Sequence, residues 1–143
     1  MPVENESQSF INLGVVVNDK NEVLIVKRVK EEKSNDGLAV LSWAFPGGKQ
    51  RFDETRKQGV EREVLAETGY EVCSIKEINL RSHPQFPVVI VYHLCHLVQK
   101  NPQQEPSEPW EIQEIKWVKI GELKNYFTTD LDKKVAAELG LTG

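Results

Sequence analysis

The chain has 143 residues, a length that suits one domain with a buried core. Its 39% hydrophobic and 28% charged residues are ordinary for a folded protein and exclude disorder of the whole chain. The net charge of -4, with no long basic run, argues against a nucleic-acid polymer as the ligand. Cys73 and Cys95 have no paired spacing, so they predict neither a disulfide framework nor a four-ligand zinc site.

The N-terminus and the longest apolar run give information about the cellular location of the protein. The chain begins with a polar, acidic stretch, MPVENESQS, which resembles neither a signal peptide nor a transit peptide. The longest apolar run, residues 87–97, is too short for a membrane span and is interrupted by His93 and His96. We therefore expect a cytoplasmic protein with no membrane partner.

The first third of the chain predicts strands. Residues 10–17 and 22–29 are rich in β-branched side chains and flank the turn-forming residues 18–21, so we expect a hairpin. The charged residues 30–37 predict a surface loop, and residues 41–45 predict a short strand that ends before two glycines.

A helix follows this strand. Thr55 and Gln58 have the spacing of a capping box, and Gly69 is typical of a left-handed helix end, so the helix should begin after Thr55 and run to Thr68. Glu63 and Glu67 are one turn apart and project side by side. Two carboxylates held this close repel each other unless a cation lies between them. The pattern therefore predicts a divalent-metal platform built on a loop and a helix.

The remaining elements predict a mixed sheet between helices. Strands are expected at residues 71–82, 88–98 and 114–120, with an irregular proline-containing loop at 99–110. A short helix at 121–127 and a closing helix at 130–139 complete the chain, and Trp117 should pack under the closing helix. We expect a single domain over residues 1–143, with residues 1–8 as a disordered tail.

The glycine turn and the helix together resemble a known motif. The matching positions are Gly48, Glu54, Arg62-Glu63-Val64, Glu67 and Gly69-Tyr70, preceded by Phe45-Pro46-Gly47-Gly48-Lys49. This pattern resembles the Nudix box. The resemblance implies an α/β fold, a Nudix-type α/β/α sandwich with a mixed β-sheet. It also implies hydrolysis of a nucleoside diphosphate linked to another moiety, with Mg²⁺ or Mn²⁺ as cofactor.

The resemblance also implies roles for individual residues. Glu63 and Glu67 would hold the metal, and the carbonyl of Gly47 could join them because glycine lets backbone approach a ligand closely. Glu54 and Arg62 would pair with each other and pin the loop to the helix.

Three further residues are candidates for substrate binding. Lys49 could meet a phosphate as a mobile point charge. Trp43 and Phe86 could stack on a base, although an aromatic residue on a short strand is more often part of the core. His93 and Cys95 alternate with His96 along a strand, which disfavours a shared metal site.

One position departs from the motif. Nudix proteins normally carry a second metal-binding glutamate immediately before the residue equivalent to Glu67, where this chain has Ala66. Water could fill the vacancy and leave a weaker working site, or a nucleotide-binding module with little turnover could remain. The loop before the last strand offers compensating carboxylates at Glu105, Glu108, Glu111 and Glu114. We prefer Glu111 as the third metal ligand.

The leading hypothesis is a small MutT-like hydrolase. It would convert a nucleoside triphosphate or deoxynucleoside triphosphate, including oxidised ones, to the monophosphate and pyrophosphate. Glu63, Glu67 or Glu111 would act as the base. The alternatives are cleavage of ADP-ribose or a nucleotide sugar, and a nucleotide-binding or sensing module weakened by Ala66. The partner is in each case a small nucleotide, and the oligomeric state is left open.

Overall fold

The computed structural model describes residues 9–28, 32–33, 39–40, 43–84, 86–107, 112–127 and 131–141. The expected tail at residues 1–8 lies outside this part. The strands are β1 (Phe10–Val17), β2 (Glu22–Arg28), β3 (Glu32–Lys33), β4 (Ala39–Val40), β5 (Trp43–Ala44), β6 (Gly47–Lys49), β7 (Val72–Ser82), β8 (Val89–Leu97) and β9 (Ile112–Lys119). The helices are α1 (Arg56–Thr68) and α2 (Lys133–Glu138), with a 3₁₀ helix at Ile120–Asn125.

The main sheet has seven strands and is mixed, as predicted. Its central order is β5-β2-β1-β8-β7, with β6 also paired to β1 and β9 to β2. β1 and β8 run parallel, from Phe10 opposite Val89 to Val17 opposite His96, whereas the other pairs are antiparallel. β3 and β4 form a separate two-stranded sheet.

One edge of β1 is shared by two strands. β2 pairs with the end of β1, where Val17 lies opposite Val23, and β6 pairs with its beginning, where Leu13 lies opposite Gly47. The N–H of Gly14, between these two pairings, donates to the carbonyl of Pro46 at 2.8 Å. The sheet therefore divides at this point, and helix α1 contacts both β1 and β6.

Each face of the sheet packs on its own apolar cluster. One cluster includes Val15 and Ile25 of the sheet with Val135 of α2, and the other includes Val16 and Leu24 with Val64 of α1. Neighbouring residues of a strand point to opposite faces, which places Val15 and Val16 in different clusters. The described helices thus cover both faces, which confirms the predicted α/β/α arrangement. These helices are too short or too polar to cross a membrane.

Helix α1 has the ends that its sequence predicts. The hydroxyl of Thr55 accepts from the N–H of Gln58, and the side chain of Gln58 accepts from the N–H of Thr55, so both halves of the capping box are present. Gly69 ends the helix with φ of 82°, a conformation in which a Cβ is strained. A Cβ at Gly69 would also lie 2.1 Å from the carbonyl oxygen of Gln104.

The prediction for Trp117 was wrong. Its ring packs with the cluster under α1, whereas Val135 of the closing helix belongs to the cluster on the opposite face. The indole N–H of Trp117 donates to the hydroxyl of Tyr70 at 3.1 Å, and the two rings meet edge to face. The physical reason is register, because Trp117 lies opposite Leu24 and therefore shares the α1 face with it.

Candidate active site

Two glycines bring strand β6 into contact with helix α1. Gly47 has φ of 153°, and a Cβ there would lie 2.0 Å from the carbonyl oxygen of Asn12. A Cβ at Gly48 would lie 2.9 Å from the carboxyl carbon of Glu63. No side chain fits at Gly47 without moving the backbone, which is why glycine is required there. The absence of side chains lets the carboxylates of α1 lie directly against the strand.

Glu67 is the most buried carboxylate of this contact, with 2% of its surface exposed. It accepts a hydrogen bond from the N–H of Gly47 at 3.0 Å and pairs with the guanidinium of Arg28 at 3.1 Å. The pKa of Glu67 is raised to about 7, mainly by burial and to a smaller extent by Glu63, while Arg28 and the Gly47 N–H act in the opposite direction. This carboxyl group therefore needs nearby positive charge to remain ionised at neutral pH.

Arg28 supplies such a charge, and sequence reasoning missed it. Its guanidinium contacts Glu67 and also donates to the carbonyl oxygen of Gly47 at 3.2 Å. Arg28 is the last residue of β2 and shares a face with Leu24, which is covered by α1. Strand alternation places Arg28 on the same face as Leu24, but it does not show which helix covers that face or which residues Arg28 contacts.

Glu63 is held by a second arginine. Arg62 donates to Glu63 at 3.1 Å and to both carboxylate oxygens of Glu54, at 2.9 and 2.7 Å. The hydrogen bond from Arg62 is the largest influence on Glu54 and lowers its pKa, with a further contribution from the N–H of Arg51. The expected Glu54–Arg62 pair is thus present, and it links the loop before α1 to the carboxylate at position 63.

The atoms that meet here suit a hard divalent cation. Glu63 and Glu67 both lie against β6, and the carbonyl of Gly47 is a third oxygen that could join them. The described residues contain no group of three or more acidic, histidine or cysteine side chains placed to hold a metal ion. Mg²⁺ and Mn²⁺ prefer oxygen ligands and keep several waters when few protein oxygens are available. The guanidinium of Arg28 already contacts two of these groups, so the position accommodates positive charge. The donor set therefore fits the metal that the sequence motif implies.

A comparison with protein-family models decides the family. The model described as NUDIX domain matches residues 10–139. The chain belongs to the Nudix family. The described residues in that span include Gly47, Glu63, Glu67 and the Glu54–Arg62 pair.

A curated Nudix relative is similar over part of its length. The Bacillus subtilis (strain 168) protein named "Putative 8-oxo-dGTP diphosphatase" is 31% identical over 72 residues, which make up 50% of this chain and 42% of that protein. The matched segment thus spans less than half of that relative.

Solved structures share the fold. A MutT protein from Methanosarcina mazei Go1 has a TM-score of 0.62 and 22% identity, over 94% of this chain and 92% of that chain. An ADP-ribose pyrophosphatase from Streptococcus suis 89-1591 has a TM-score of 0.57 and 23% identity, over 80% of this chain and 75% of that chain. These identities show a common fold, and the fold is shared by proteins named for different substrates.

Ala66 marks the departure from the Nudix box. It lies on α1 between Leu65 and Glu67 and is partly exposed. Its carbonyl accepts from the N–H of Ser107 at 2.8 Å, and the N–H of Gln103 donates to the carbonyl of Gly69 at 2.7 Å. The loop after β8 is therefore attached to the last turn of α1, directly beside the position where a glutamate is missing.

The candidate substrate-binding residues have different surroundings. Lys49 is exposed, and its carbonyl accepts from Arg62 at 3.3 Å. Trp43 packs against the apolar cluster that contains Val135 of α2, the α2-side cluster. It also meets Tyr126 edge to face, with ring centroids 5.4 Å apart. Phe86 is 58% exposed and touches the ring of His83. The backbone of Lys49 thus contacts Arg62 of α1, whereas Trp43 is largely a packing residue.

Glu111, the preferred third ligand, lies outside the described residues, as does Glu108. Glu114 is exposed and lies opposite Lys27 of β2. Lys27 precedes Arg28 in the chain and therefore points to the other face of the sheet. Because neighbouring strand residues point to opposite faces, Glu114 faces away from the α1 side and does not serve as the third ligand there. His93 and Cys95 are both buried, and His93 bonds to Asn12 and Ser74.

Proposed function

We propose that this protein is a Mg²⁺- or Mn²⁺-dependent hydrolase of a nucleoside diphosphate linked to another moiety. Its preferred substrate is a nucleoside or deoxynucleoside triphosphate, including oxidised ones, which it converts to the monophosphate and pyrophosphate. The observation that carries this proposal is the contact of Glu63 and Glu67 with the glycines of β6, within a chain that belongs to the Nudix family.

Each residue of the site has a role in this reaction. Glu63, Glu67 and the carbonyl of Gly47 would hold the cation, which when bound neutralises phosphate charge and activates water. Arg62 and Glu54 keep Glu63 in position, and exposed Lys49 meets a phosphate of the substrate. Water attacks a phosphorus atom of the anhydride, and the bond from that phosphorus to the bridging oxygen breaks.

Glu111 is proposed as the third carboxylate because of the residues on either side of it. Ser107 bonds to the carbonyl of Ala66, at the last turn of α1. Ile112 lies opposite Arg28, whose guanidinium contacts Glu67. Ser107 thus bonds to the chain neighbour of Glu67, and Ile112 pairs with the residue that contacts the Glu67 carboxylate. A carboxylate from this segment would restore the negative charge that Ala66 removes.

The relative named for 8-oxo-dGTP supports a triphosphate substrate. The fold is shared equally with a protein named for ADP-ribose, so cleavage of ADP-ribose or a nucleotide sugar is the second candidate.

Hydrolysis of a nucleotide panel with Mg²⁺ tests both candidates. Products are identified by chromatography, because triphosphates release pyrophosphate whereas ADP-ribose releases AMP and ribose phosphate. Glu67→Gln should lower kcat/KM by about 100-fold or more, since losing a few kcal/mol of transition-state stabilisation has that effect. Glu71→Gln, an exposed glutamate just beyond α1, serves as the control and should retain activity. Undiminished turnover by Glu67→Gln would refute the assigned role.

A nucleotide-binding module with a weakened site is the alternative from a different class, and Ala66 is the observation that favours it. It predicts nucleotide binding with negligible hydrolysis in the natural protein. Ala66→Glu should then increase turnover by at least about tenfold, because a third carboxylate strengthens the metal site. Brisk turnover by the natural protein, with no gain in the variant, would contradict this alternative.

A further inference from the structure

Five of the seven buried polar residues in the described part of the chain belong to one hydrogen-bonded network. They are Asn12, Gln50, Glu54, Ser74 and His93, and we call them the buried network. It runs from β7 through β8 and β1 to the loop that precedes α1. Buried polar groups are costly unless they are paired, so a connected set of five indicates a specific arrangement.

His93 lies at the centre of the buried network, with 1% of its surface exposed. Its Nδ1 is 2.9 Å from the hydroxyl of Ser74, and its Nε2 is 2.9 Å from the side-chain oxygen of Asn12. The amide nitrogen of Asn12 donates to Gln50 at 3.0 Å, so the oxygen of Asn12 faces the imidazole. These directions require a proton on Nε2 of His93 and leave Nδ1 to accept from Ser74.

Gln50 connects this arrangement to the loop at residues 50–54. Its side-chain amide donates to the carbonyl of Glu54 at 3.0 Å, and its N–H donates to the carbonyl of Phe10 at 3.0 Å. The carboxylate of Glu54 then accepts from the N–H of Arg51 at 2.7 Å and from Arg62. The side chains of Gln50 and Glu54 thus close the loop on itself, and they also connect it to Asn12 of β1 and to Arg62 of α1.

Because Gly59 has no side chain, Asn12 and Glu54 can both lie close to helix α1. A Cβ at this position of α1 would lie 3.1 Å from the amide nitrogen of Asn12 and 3.1 Å from a carboxylate oxygen of Glu54. The helix that carries Glu63 and Glu67 therefore packs directly on the buried network. A displacement of the network would move the helix or the loop at the candidate metal site.

We propose that His93 is a positioning residue for the candidate metal site. Acting through Asn12 and Gln50, it holds residues 50–54 in the conformation in which Glu54 binds Arg62 and Arg62 binds Glu63. His93 itself touches no substrate or metal atom. The proposal rests on the proposed function for the presence of the metal, and it concerns the geometry that the metal meets.

A matched pair of variants separates positioning from simple packing. The amide nitrogen of glutamine is three bonds from Cβ, as is Nε2 of histidine, so His93→Gln can still donate to Asn12. His93→Leu cannot. Mn²⁺ affinity, measured by electron paramagnetic resonance on the folded protein, should fall about tenfold in His93→Leu and stay within about twofold of the natural value in His93→Gln.

A destabilised control tests whether loss of stability alone weakens metal binding. Val135→Ala alters the α2-side cluster and leaves the buried network intact. If Val135→Ala lowers the Tm as much as His93→Leu does, it should still bind Mn²⁺ with the affinity of the natural protein. Natural affinity in folded His93→Leu would overturn the proposal, and so would an equal loss of affinity in Val135→Ala.

Gln50→Met keeps the proposal testable where His93→Leu fails to fold. It retains the side-chain length while removing both side-chain hydrogen bonds of Gln50. The exchange rate of the Arg51 amide, measured by NMR without metal, should rise about tenfold, since the loop then opens more often. An unchanged rate would overturn the proposal.

The exchange rate of the Arg51 amide does not depend on nucleotide hydrolysis, so it also separates the positioning role of His93 from the proposed function. A protein that binds Mn²⁺ but cleaves no nucleotide would refute the proposed function. Faster Arg51 exchange and weaker Mn²⁺ binding in Gln50→Met would still support the positioning role of His93.

Discussion

Glu67 and His93 are both buried ionisable side chains, and their surroundings differ. Glu67 contacts a guanidinium and a backbone N–H, whereas His93 contacts a hydroxyl and an amide. Burial raises the pKa of Glu67 to about 7 and lowers the pKa of His93 to about 4. In both cases burial disfavours the charged form. Glu67 therefore depends on a neighbouring cation, while His93 stays neutral and can act as a fixed hydrogen-bond donor to Asn12.

The lowered pKa of His93 predicts a pH dependence of stability. Its ordinary value is 6.5, so between pH 6.5 and about 4 the unfolded chain binds a proton that the folded protein does not. The contribution of His93 to stability is therefore fully present above pH 6.5 and is lost as the pH falls towards about 4. The charges that bear on His93 from neighbouring elements oppose one another, since Glu77 and Glu61 raise its pKa while Arg56 and Lys57 lower it.

Urea unfolding at pH 7 and pH 4.5 measures this contribution. The free energy of unfolding should fall by about 2 kcal/mol more in the natural protein than in His93→Gln, which has no group that titrates in this range. An equal decrease in the two proteins would show that protonation of His93 does not contribute.

At the scale of elements, the end of α1 depends on its contact with the loop after β8. Gly69 has a positive φ of 82°, and a Cβ there would lie 2.1 Å from the carbonyl oxygen of Gln104. Gly140 has a similar φ of 78°, with no atom within 4 Å of its Cβ position in the described part of the chain. The two glycines thus share a backbone conformation and differ in their surroundings.

Gly69→Ala and Gly140→Ala are therefore a matched pair. The left-handed conformation alone should cost about 1 kcal/mol in Gly140→Ala. Gly69→Ala should cost at least about 2 kcal/mol, because the loop must also move. Thermal and urea unfolding provide the measurement. Equal losses would mean that the loop adapts freely and does not hold the end of α1.

At the scale of the molecule, stability is divided between two apolar clusters that the sheet separates. Val64 of α1 and Val135 of α2 are both fully buried, each against its own face of the sheet. Each valine removes apolar surface from water, and the residues have no cluster neighbours in common. The two faces should therefore behave as independent sites within one cooperative unit.

Val64→Ala and Val135→Ala should each lower the free energy of unfolding by about 2 kcal/mol. Their effects should add within about 0.5 kcal/mol in the double variant. Urea unfolding of the four proteins tests this expectation. A large deviation from additivity would show that the sheet transmits packing changes between its faces. Val64 is part of the helix that carries Glu63 and Glu67, whereas Val135 is not, so only Val64→Ala should alter metal binding.

Local signals were enough to predict helix α1 and the strands around it. Thr55, Gln58 and Gly69 act within a few residues of the chain, so their effect is visible in the sequence. Arg28 is different, since it reaches a carboxylate 39 residues away. The bond between Asn12 and His93 spans 81 residues and depends on the parallel pairing of β1 with β8. Trp117 was assigned to the wrong helix because alternation does not show which face each helix covers.

The amino-acid sequence alone determined the family, the helix of the site and its two carboxylates, because these depend on residue types at short, regular spacings. The tertiary structure decided which cation faces Glu67 and how the loop before α1 is held. Those features depend on strand order and on the divided edge of β1, where side chains distant in the chain come within hydrogen-bonding distance. Short-range spacing carries no information about such contacts, since they form only when the sheet is assembled.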